Sequence, residues 1–308
     1  MLAGVEFGSF LFDVTDGVIV LHQLTFRVQS SSPTLSLTSH GPLKVFPGVD
    51  QPITSRVLRA VTDDAVQSRT VIYTVVSAPR LGRLRVRDAD DPADLTAFTQ
   101  HELDDGAVVY RPRADAAVDA PWSGVADSVR LEVSTAYAAA LRDVALPVNV
   151  SYANLNADNA PALIASRPLR VDEGKAAYVT REQADARPLL RRLAAVGVAD
   201  VVFTLVDEPR HGRLSLGRGR NATAGYRLYR RNLTDGDIMY AHDGSDTTDD
   251  RFRVAVELLT VAREAVAVDH VVTVNVTVRP VNDENFELRR EAKLEVLQVT
   301  TFTRLFRH

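Results

Sequence analysis

Four asparagines stand in the acceptor pattern for N-linked glycans: Asn149-Val-Ser151, Asn221-Ala-Thr223, Asn232-Leu-Thr234 and Asn275-Val-Thr277. None has a proline in the middle, which would block the modification. Such tripeptides arise by chance in any long chain, but two features go further. Asn149 and Asn275 occupy matching places in a repeated stretch. In Val272 to Val278 the valines take one face, and Thr273, Asn275 and Thr277 the other. Strand side chains alternate, so Asn275 is expected to face solvent, and so is Asn149 between Val148 and Val150. Asn221 lies in a Gly/Arg-rich loop that is exposed on any reading.

A second chemistry is cation binding. His242-Asp-Gly-Ser-Asp246 continues through Thr247 and Thr248 into Asp249-Asp250. Calcium takes six to eight oxygens, and clustered carboxylates supply them. Asp243 and Asp246 are candidates, with Glu173, Asn282 and Asp283, which fall at the boundaries of the repeated unit. The spacing is not that of an EF-hand loop. The plainer reading is a solvated loop whose Asp and Gly residues make turns. No cofactor other than this candidate calcium is expected. His211 and His242 with their acidic neighbours suggest acid–base chemistry, yet the residue matching His211 in the other copy is Leu81. No G-x-S-x-G, H-E-x-x-H or phosphate-cradling loop occurs.

The elements that would position these residues come from a duplication. Val71 to Leu84 and Val201 to Leu214 share eight of fourteen positions at an offset of 130, among them Pro79/Pro209, Arg80/Arg210, Gly82/Gly212 and Arg83/Arg213. A match at fixed offset is an internal repeat. Each copy is an apolar, β-branched run, a turn, and a second run, so the unit is built on strands. Gly82 and Gly212 are expected in the turn with φ above zero. Glu102 to Tyr110 and Asn232 to Tyr240 match at Leu103/Leu233, Asp105/Asp235, Gly106/Gly236 and Tyr110/Tyr240. Leu43-Lys-Val45 and Leu169-Arg-Val171 open the units, and Leu146 to Tyr152 and Val271 to Val278 close them. Leu189, Leu190, Leu193 and Val196 have helical spacing, limited by Pro188 to a turn or three.

The first complete unit therefore spans residues 43–152 and the second 160–283. Residues 1–32 read as the end of an earlier unit, with His22 to Gln29 as its last strand. Ser30 to Pro42 is polar and reads as a linker. Residues 284–308, with Leu294-Glu-Val296, read as the start of a further repeat or a tail. The expectation is a piece of a longer array, with flanking repeats in the full-length chain.

Composition bounds the function. The 308 residues are 45% apolar, enough to bury two cores, with net charge −4 and no cysteine. Disulfides and thiolate metal sites are excluded. No basic field recommends nucleic acid. No apolar run has the length of a membrane span, so direct membrane insertion of this segment is not expected, and Met1 to Glu6 lacks the features of a signal peptide.

Taken together, Pro209-Arg-His-Gly-Arg-Leu214, Phe98-Thr-Gln100, L-x-D-G-x-V-x-Y, His242-Asp-Gly-Ser245 and a closing V-x-P-V-N-D resemble the repeat of the chondroitin sulfate proteoglycan family. That repeat occurs in the melanoma-type transmembrane proteoglycan and in the Fraser-syndrome-related matrix proteins. The resemblance runs from about Phe10 to Asp283. The first unit departs from it at Leu81 and Pro112, the second at Leu228-Tyr-Arg230. It implies an all-β fold: tandem cadherin-like antiparallel β-sandwiches in an extended array. It also implies a non-catalytic adhesion or spacer role in an extracellular proteoglycan or matrix protein, with matrix or cell-surface proteins as partners. The alternative is a pair of accessory binding domains of a secreted carbohydrate-processing enzyme.

Overall fold

The computed structural model describes residues 5–63, 69–89, 93–217 and 219–281. The N-terminal stretch forms a hairpin of β1 (Val5–Thr15) and β2 (Val20–Ser31). They pair antiparallel through a turn in which Asp16 Oδ1 accepts the Val18 and Ile19 N–H groups. The next strands are β3 (Leu35–His40), β4 (Leu43–Val45), β5 (Gln51–Pro52), β6 (Leu58–Thr62), β7 (Ile72–Ser77), β8 (Gly82–Val86) and β9 (Ala97–Thr99). Helix α1 (Gln100–Asp104) leads to β10 (Val108–Pro112), β11 (Val125–Ser134) and β12 (Leu141–Val150). The second unit begins with β13 (Leu169–Asp172), β14 (Ala176–Val179), α2 (Arg187–Leu193), β15 (Val198–Asp207) and β16 (Gly212–Leu216). It ends with β17 (Arg220–Asn221), β18 (Arg227–Tyr229), α3 (Arg230–Thr234), β19 (Ile238–His242), β20 (Asp249–Thr260) and β21 (Ala265–Arg279).

The two units share one topology. The larger sheet of the first runs β4-β12-β11-β7-β9, and that of the second β13-β21-β20-β15-β18. The smaller sheets are β5-β10-β8 and β14-β19-β16-β17. The duplicated stretch thus occupies the same place in both, β7–β8 and β15–β16. The fold is mostly β, as tandem cadherin-like sandwiches. Short edge strands bring each unit above the usual seven. Pairing is antiparallel except at one edge of each larger sheet. There the opening strand lies parallel to the closing strand, Leu43 opposite Val148 and Leu169 opposite Val276.

Alternation builds the core. Val144, Leu146, Val148 and Val150 of β12, and Val272, Val274, Val276 and Val278 of β21, are buried. They face Val129, Leu131 and Val133 of β11 or Phe252, Val254 and Val256 of β20 across the period of two. Each such burial stabilises by about 1.5–3 kcal/mol. Helix α2 has its proline in the first turn, where no hydrogen bond is lost, and buries Leu189 and Leu193. One expectation is corrected: the polar stretch before Leu43 is not all linker. Within it β3 pairs with β6, Leu35 opposite Thr62, and Leu35 is buried. Its serines and threonines concealed a Leu-x-Leu alternation. Leu294 to Val296 lies outside the described residues.

A buried carboxylate ties the two sheets of each unit together. In the first, Asp127 accepts the N–H groups of Arg80 (3.0 Å), Leu81 (2.8 Å) and Ser128 (2.8 Å) and the Tyr110 hydroxyl (2.9 Å). In the second, Asp250 accepts Arg210 N–H (2.9 Å), His211 N–H (2.9 Å), Arg251 N–H (2.7 Å) and the Tyr240 hydroxyl (2.9 Å). Each aspartate sits at or near the start of a long strand of the larger sheet. Each tyrosine comes from the smaller sheet, and the turn between β7 and β8 or β15 and β16 is held against both. Burial opposes ionisation of Asp127 and Asp250, but the four donors outweigh it and hold both carboxyls below the usual aspartate value. Burial and the adjacent carboxylate push the Tyr110 and Tyr240 phenols well up, so they remain donors.

The glycine kept beside this latch has a different reason from the one its turn suggested. Neither Gly82 nor Gly212 has positive φ. A Cβ on Gly212 would stand 2.6 Å from Tyr240 Cζ and 2.7 Å from the Ala241 carbonyl. On Gly82 it would stand 2.6 Å from Tyr110 Cζ and from the Arg111 carbonyl. Glycine is required so that the tyrosine ring can cross the strand to reach the carboxylate. Positive φ is found instead at other glycines, among them the matched pair Gly106 (φ 65°) and Gly236 (φ 70°), just after α1 and α3.

Two outcomes follow. Gly212→Val is expected to destabilise the second unit by about 2 kcal/mol or more, since neither the ring nor the carbonyl can move without breaking the latch. His211→Leu should stay within about 0.5 kcal/mol. Denaturant melts separate the units, because Trp122, the only tryptophan, reports the first; its transition should not move in either variant. A larger loss from His211→Leu than from Gly212→Val would overturn the packing account.

The second concerns acid. The folded carboxyls titrate below the ordinary value of about 3.9, so the folded state binds fewer protons than the unfolded one. The latch contributes in full above about pH 5 and is lost as the pH falls through that value towards the depressed one. Asp250→Asn places N–H groups against N–H donors and is expected to cost the second unit about 3 kcal/mol at neutral pH. It should also flatten that unit's acid limb. Identical stability–pH curves for parent and variant would reject the assignment.

Candidate functional site

The four sequon asparagines divide into two pairs. Asn275 projects from β21 opposite Arg251 and is exposed. Asn221 lies in β17 beside Ser215 and is exposed. Asn149 is on the outer side of β12, as alternation requires, yet it is half-buried. Its Oδ1 accepts from Asn154 Nδ2 (2.8 Å), and its amide packs against Gly124. The chain leaving the unit folds back over that face, which the strand pattern alone does not reveal. Asn232 is also half-buried. Its Oδ1 accepts Tyr229 N–H (3.0 Å) as the cap of α3, and its Nδ2 donates to Asp237 (3.2 Å). In the first unit the same place is held by Glu102, which accepts Thr99 N–H at 2.7 Å.

The acidic candidates are partly gathered. Glu173 and the Asp243 loop lie at one end of the second unit, linked through His242. That ring is fully buried, and its Nδ1 accepts the N–H groups of Gly174 and Gly244, each at 3.2 Å. Nδ1 therefore carries no proton, and Nε2–H donates to Thr247 Oγ1 (3.1 Å). Glu173 Oε2 accepts Val281 N–H (3.1 Å). Asp243 accepts the Ser245 hydroxyl (2.6 Å) and N–H (3.0 Å), which hold its carboxyl below the usual range. Asp246 is exposed. Among the described residues no three His, Asp or Glu side chains converge as metal ligands. Asn282 and Asp283 lie outside the described residues. With both ring nitrogens bonded inside the protein, His242 has no lone pair for a substrate proton. His211 is half-buried, 3.4 Å from Ser245 Oγ.

Sequence reasoning missed two groups of residues. The first is the latch: the sequence sets Asp250 beside the acidic loop and Asp127 at the head of an alternating strand, with nothing in either spacing that joins them to a tyrosine. The available signal was Asp-x-apolar-Arg in both copies, Asp127 to Arg130 and Asp250 to Arg253. The second is the junction between the units. Asn156 Nδ2 and Asn159 Nδ2 both donate to Gln51 Oε1, at 3.2 and 2.9 Å. Gln51 Nε2 donates to Asp158 (3.3 Å), and Asn159 Nδ2 also donates to the Asn154 carbonyl (2.9 Å). Side-chain amides tie the closing segment of the first sandwich to its own strand β5.

Comparison with known proteins agrees with this architecture. The cadherin-like family model matches residues 33–120 and 161–258, one stretch in each unit and more than half of the chain. Chondroitin sulfate proteoglycan 4 of Rattus norvegicus is 31% identical over 257 residues, covering 82% of this chain and 11% of the relative. The Homo sapiens protein of the same name is 30% identical over 266 residues, covering 84% and 11%. Extracellular matrix organizing protein FRAS1 of Mus musculus is 26% identical over 260 residues, covering 80% and 6%. The chain thus spans about a tenth of the length of these proteoglycans. Among solved structures, Drosophila N-cadherin EC1-3 covers 83% of this chain and 74% of its own, at 12% identity and a TM-score of 0.24. No helix of the described residues is long and apolar enough to cross a membrane. The duplicated sandwich, its opening strand paired to its closing strand, and the relatives matched along both copies make this chain an extracellular member of the cadherin-like family, of the repeat type found in chondroitin sulfate proteoglycan 4 and FRAS1.

Proposed function

We propose that this chain is a non-catalytic spacer and adhesion segment of a large proteoglycan or matrix protein, built of two complete repeats over residues 35–152 and 160–283. The observation that carries the reading is what the two copies keep and what they let drift. Both keep the carboxylate, the tyrosine and the glycine of the latch. Residues that could do chemistry are exchanged freely: His211 for Leu81, His242 for Pro112, Asp243 for Arg113. A scaffold under packing constraint changes in this way. Its partners are matrix or cell-surface proteins, met by the outer faces of the sheets.

Glycans belong to those faces. Asn221 and Asn275 are the sites the geometry favours, because a sugar there displaces no internal hydrogen bond. On Asn149 or Asn232 it would compete with Asn154 or with the cap of α3. With the chain expressed through a secretory pathway, N-glycosidase is expected to increase gel mobility. Asn221→Gln and Asn275→Gln should each remove one step of the shift. Asn149→Gln and Asn232→Gln should remove none and lower stability by about 1 kcal/mol, the worth of a lost internal hydrogen bond. No shift in the parent would argue against the extracellular role, and a step lost in Asn149→Gln would show that site to be used.

A further inference from the structure

A cleft of about 740 Å3 opens on the outer face of the larger sheet of the second unit. The end of β15 and the turn after it give Val206, Glu208 and Arg210, β20 gives Arg251 and Arg253, and β21 gives Thr273. Asn275 stands directly opposite Arg251 in the β20–β21 ladder, and Thr273 stands opposite Arg253. Residues two apart on a strand share a face, and directly opposed side chains stand about 5 Å apart at Cβ. A sugar joined to the exposed Asn275 amide therefore starts at the rim of this cleft.

The lining suits a neutral ligand rich in hydroxyls. It carries both signs of charge: Arg253 is paired with Asp207, and Glu208 Oε1 accepts the Ala224 N–H (3.0 Å). A sugar hydroxyl both donates and accepts, so it can use carboxylate and guanidinium alike. Among the described residues the guanidiniums of Arg210 and Arg251 make no hydrogen bond or ion pair, and both side chains are exposed. Val206, 40% exposed, and Ala224 add an apolar spot between these polar groups. A few placed donors and acceptors around apolar contact are the usual make-up of a small-molecule site.

Sequon and lining occur together. Ser128 and Arg251 each follow the latch aspartate, and Pro147 stands opposite Ser128 as Asn275 stands opposite Arg251. The register thus makes Pro147, and not Asn149, the counterpart of Asn275. Asn149 lies opposite Lys44, the place that Thr277 takes opposite Arg170. The first unit also has Ser77 and Ala78 where the second has Asp207 and Glu208. The unit without the acceptor asparagine at this place also lacks the guanidinium beside it and both carboxylates.

We propose that this cleft seats the first N-acetylglucosamine residues of the chain's own glycan on Asn275. Arg251 and Arg210 donate to sugar oxygens, and the acetamido methyl group lies against Val206. The guanidinium offers several donors in one plane, which fits the neighbouring oxygens of a sugar ring. The ligand is tethered at the rim, so its effective concentration is high and weak contacts suffice. The proposal rests on the glycosylation of Asn275 put forward above and adds a seat for what is attached there. A glycan held in this way leaves the sheet in one direction and covers part of its outer face.

The test uses the whole chain, expressed through a secretory pathway with uniform high-mannose glycans. N-glycosidase is added to the native protein, and the deamidated peptides of Asn275 and Asn221 are followed by mass with time. Asn221, exposed and away from the cleft, is the control within each molecule. Release at Asn275 is expected to be about tenfold slower than at Asn221, as for a glycan free about a tenth of the time. After denaturation the two rates should agree within about twofold. Two variants open the seat: Arg251→Ala, beside the asparagine, and Val206→Ser/Arg210→Ala, on the far wall, which an enzyme working at Asn275 need not touch. In both, native release at Asn275 should rise to within about twofold of Asn221, and the deglycosylated variants should melt with the parent. Equal native rates in the parent overturn the proposal and leave the glycosylation reading intact. So does slow release that neither variant relieves. Asn275 found without any glycan overturns that reading and the proposal with it.

Discussion

Each sandwich depends on one buried negative charge. A carboxylate removed from water is costly unless every lone pair is used, and Asp127 and Asp250 each collect three backbone donors and a phenol. Those donors come from places far apart in the chain, so one side chain fixes how the two sheets sit on each other. The turn after β7 or β15 has no partners of its own for two N–H groups, and the aspartate supplies them. The tyrosine must cross the strand to reach the same oxygen, and the glycine makes room. Three residue types in three places are thus one device, and none can change alone.

Much of the fold could be read from the residues. The offset of 130, the valine alternation of β12 and β21, and the proline-limited helix α2 each express a local rule that tertiary structure did not override. The latch was less legible. Asp127 stands 17 residues after Tyr110, but Asp250 only 10 after Tyr240, because the intervening loop is longer in the first copy. A search at constant offset passes over such a pair. The glycine was found and its reason was not: a sequence shows that a side chain is excluded, but not whether backbone angle or a neighbouring ring excludes it. Asn149 shows the same limit, since alternation gives the face of a strand and is silent on what folds back over it.

Drift between the copies becomes intelligible once contacts are known. In the first unit Tyr73 stacks on Phe98 (5.1 Å), and its hydroxyl donates to Gln100 and accepts Ala60 N–H. Burial pushes that phenol up to about 12. In the second unit Tyr73 becomes Phe203, Gln100 becomes Arg230 and Phe98 becomes Leu228. Hydroxyl and amide are thus absent there together, so neither stands without the other. Likewise Asn232 holds in α3 the cap position that Glu102 holds in α1, and the same asparagine opens a sequon.

The parallel edge of each larger sheet has a mechanical meaning. The opening strand enters at one end of its unit, and the closing strand leaves at the other, so the two ends of the chain diverge along the strand axis. A pull on the ends therefore loads β4 against β12, and β13 against β21, in shear. All the bonds of the patch must yield together, whereas a hairpin pulled at its open end peels one bond at a time. Resistance to such a force is set by the rate of rupture and not by equilibrium stability. Strand direction alone thus fits the unit for carrying tension along the chain.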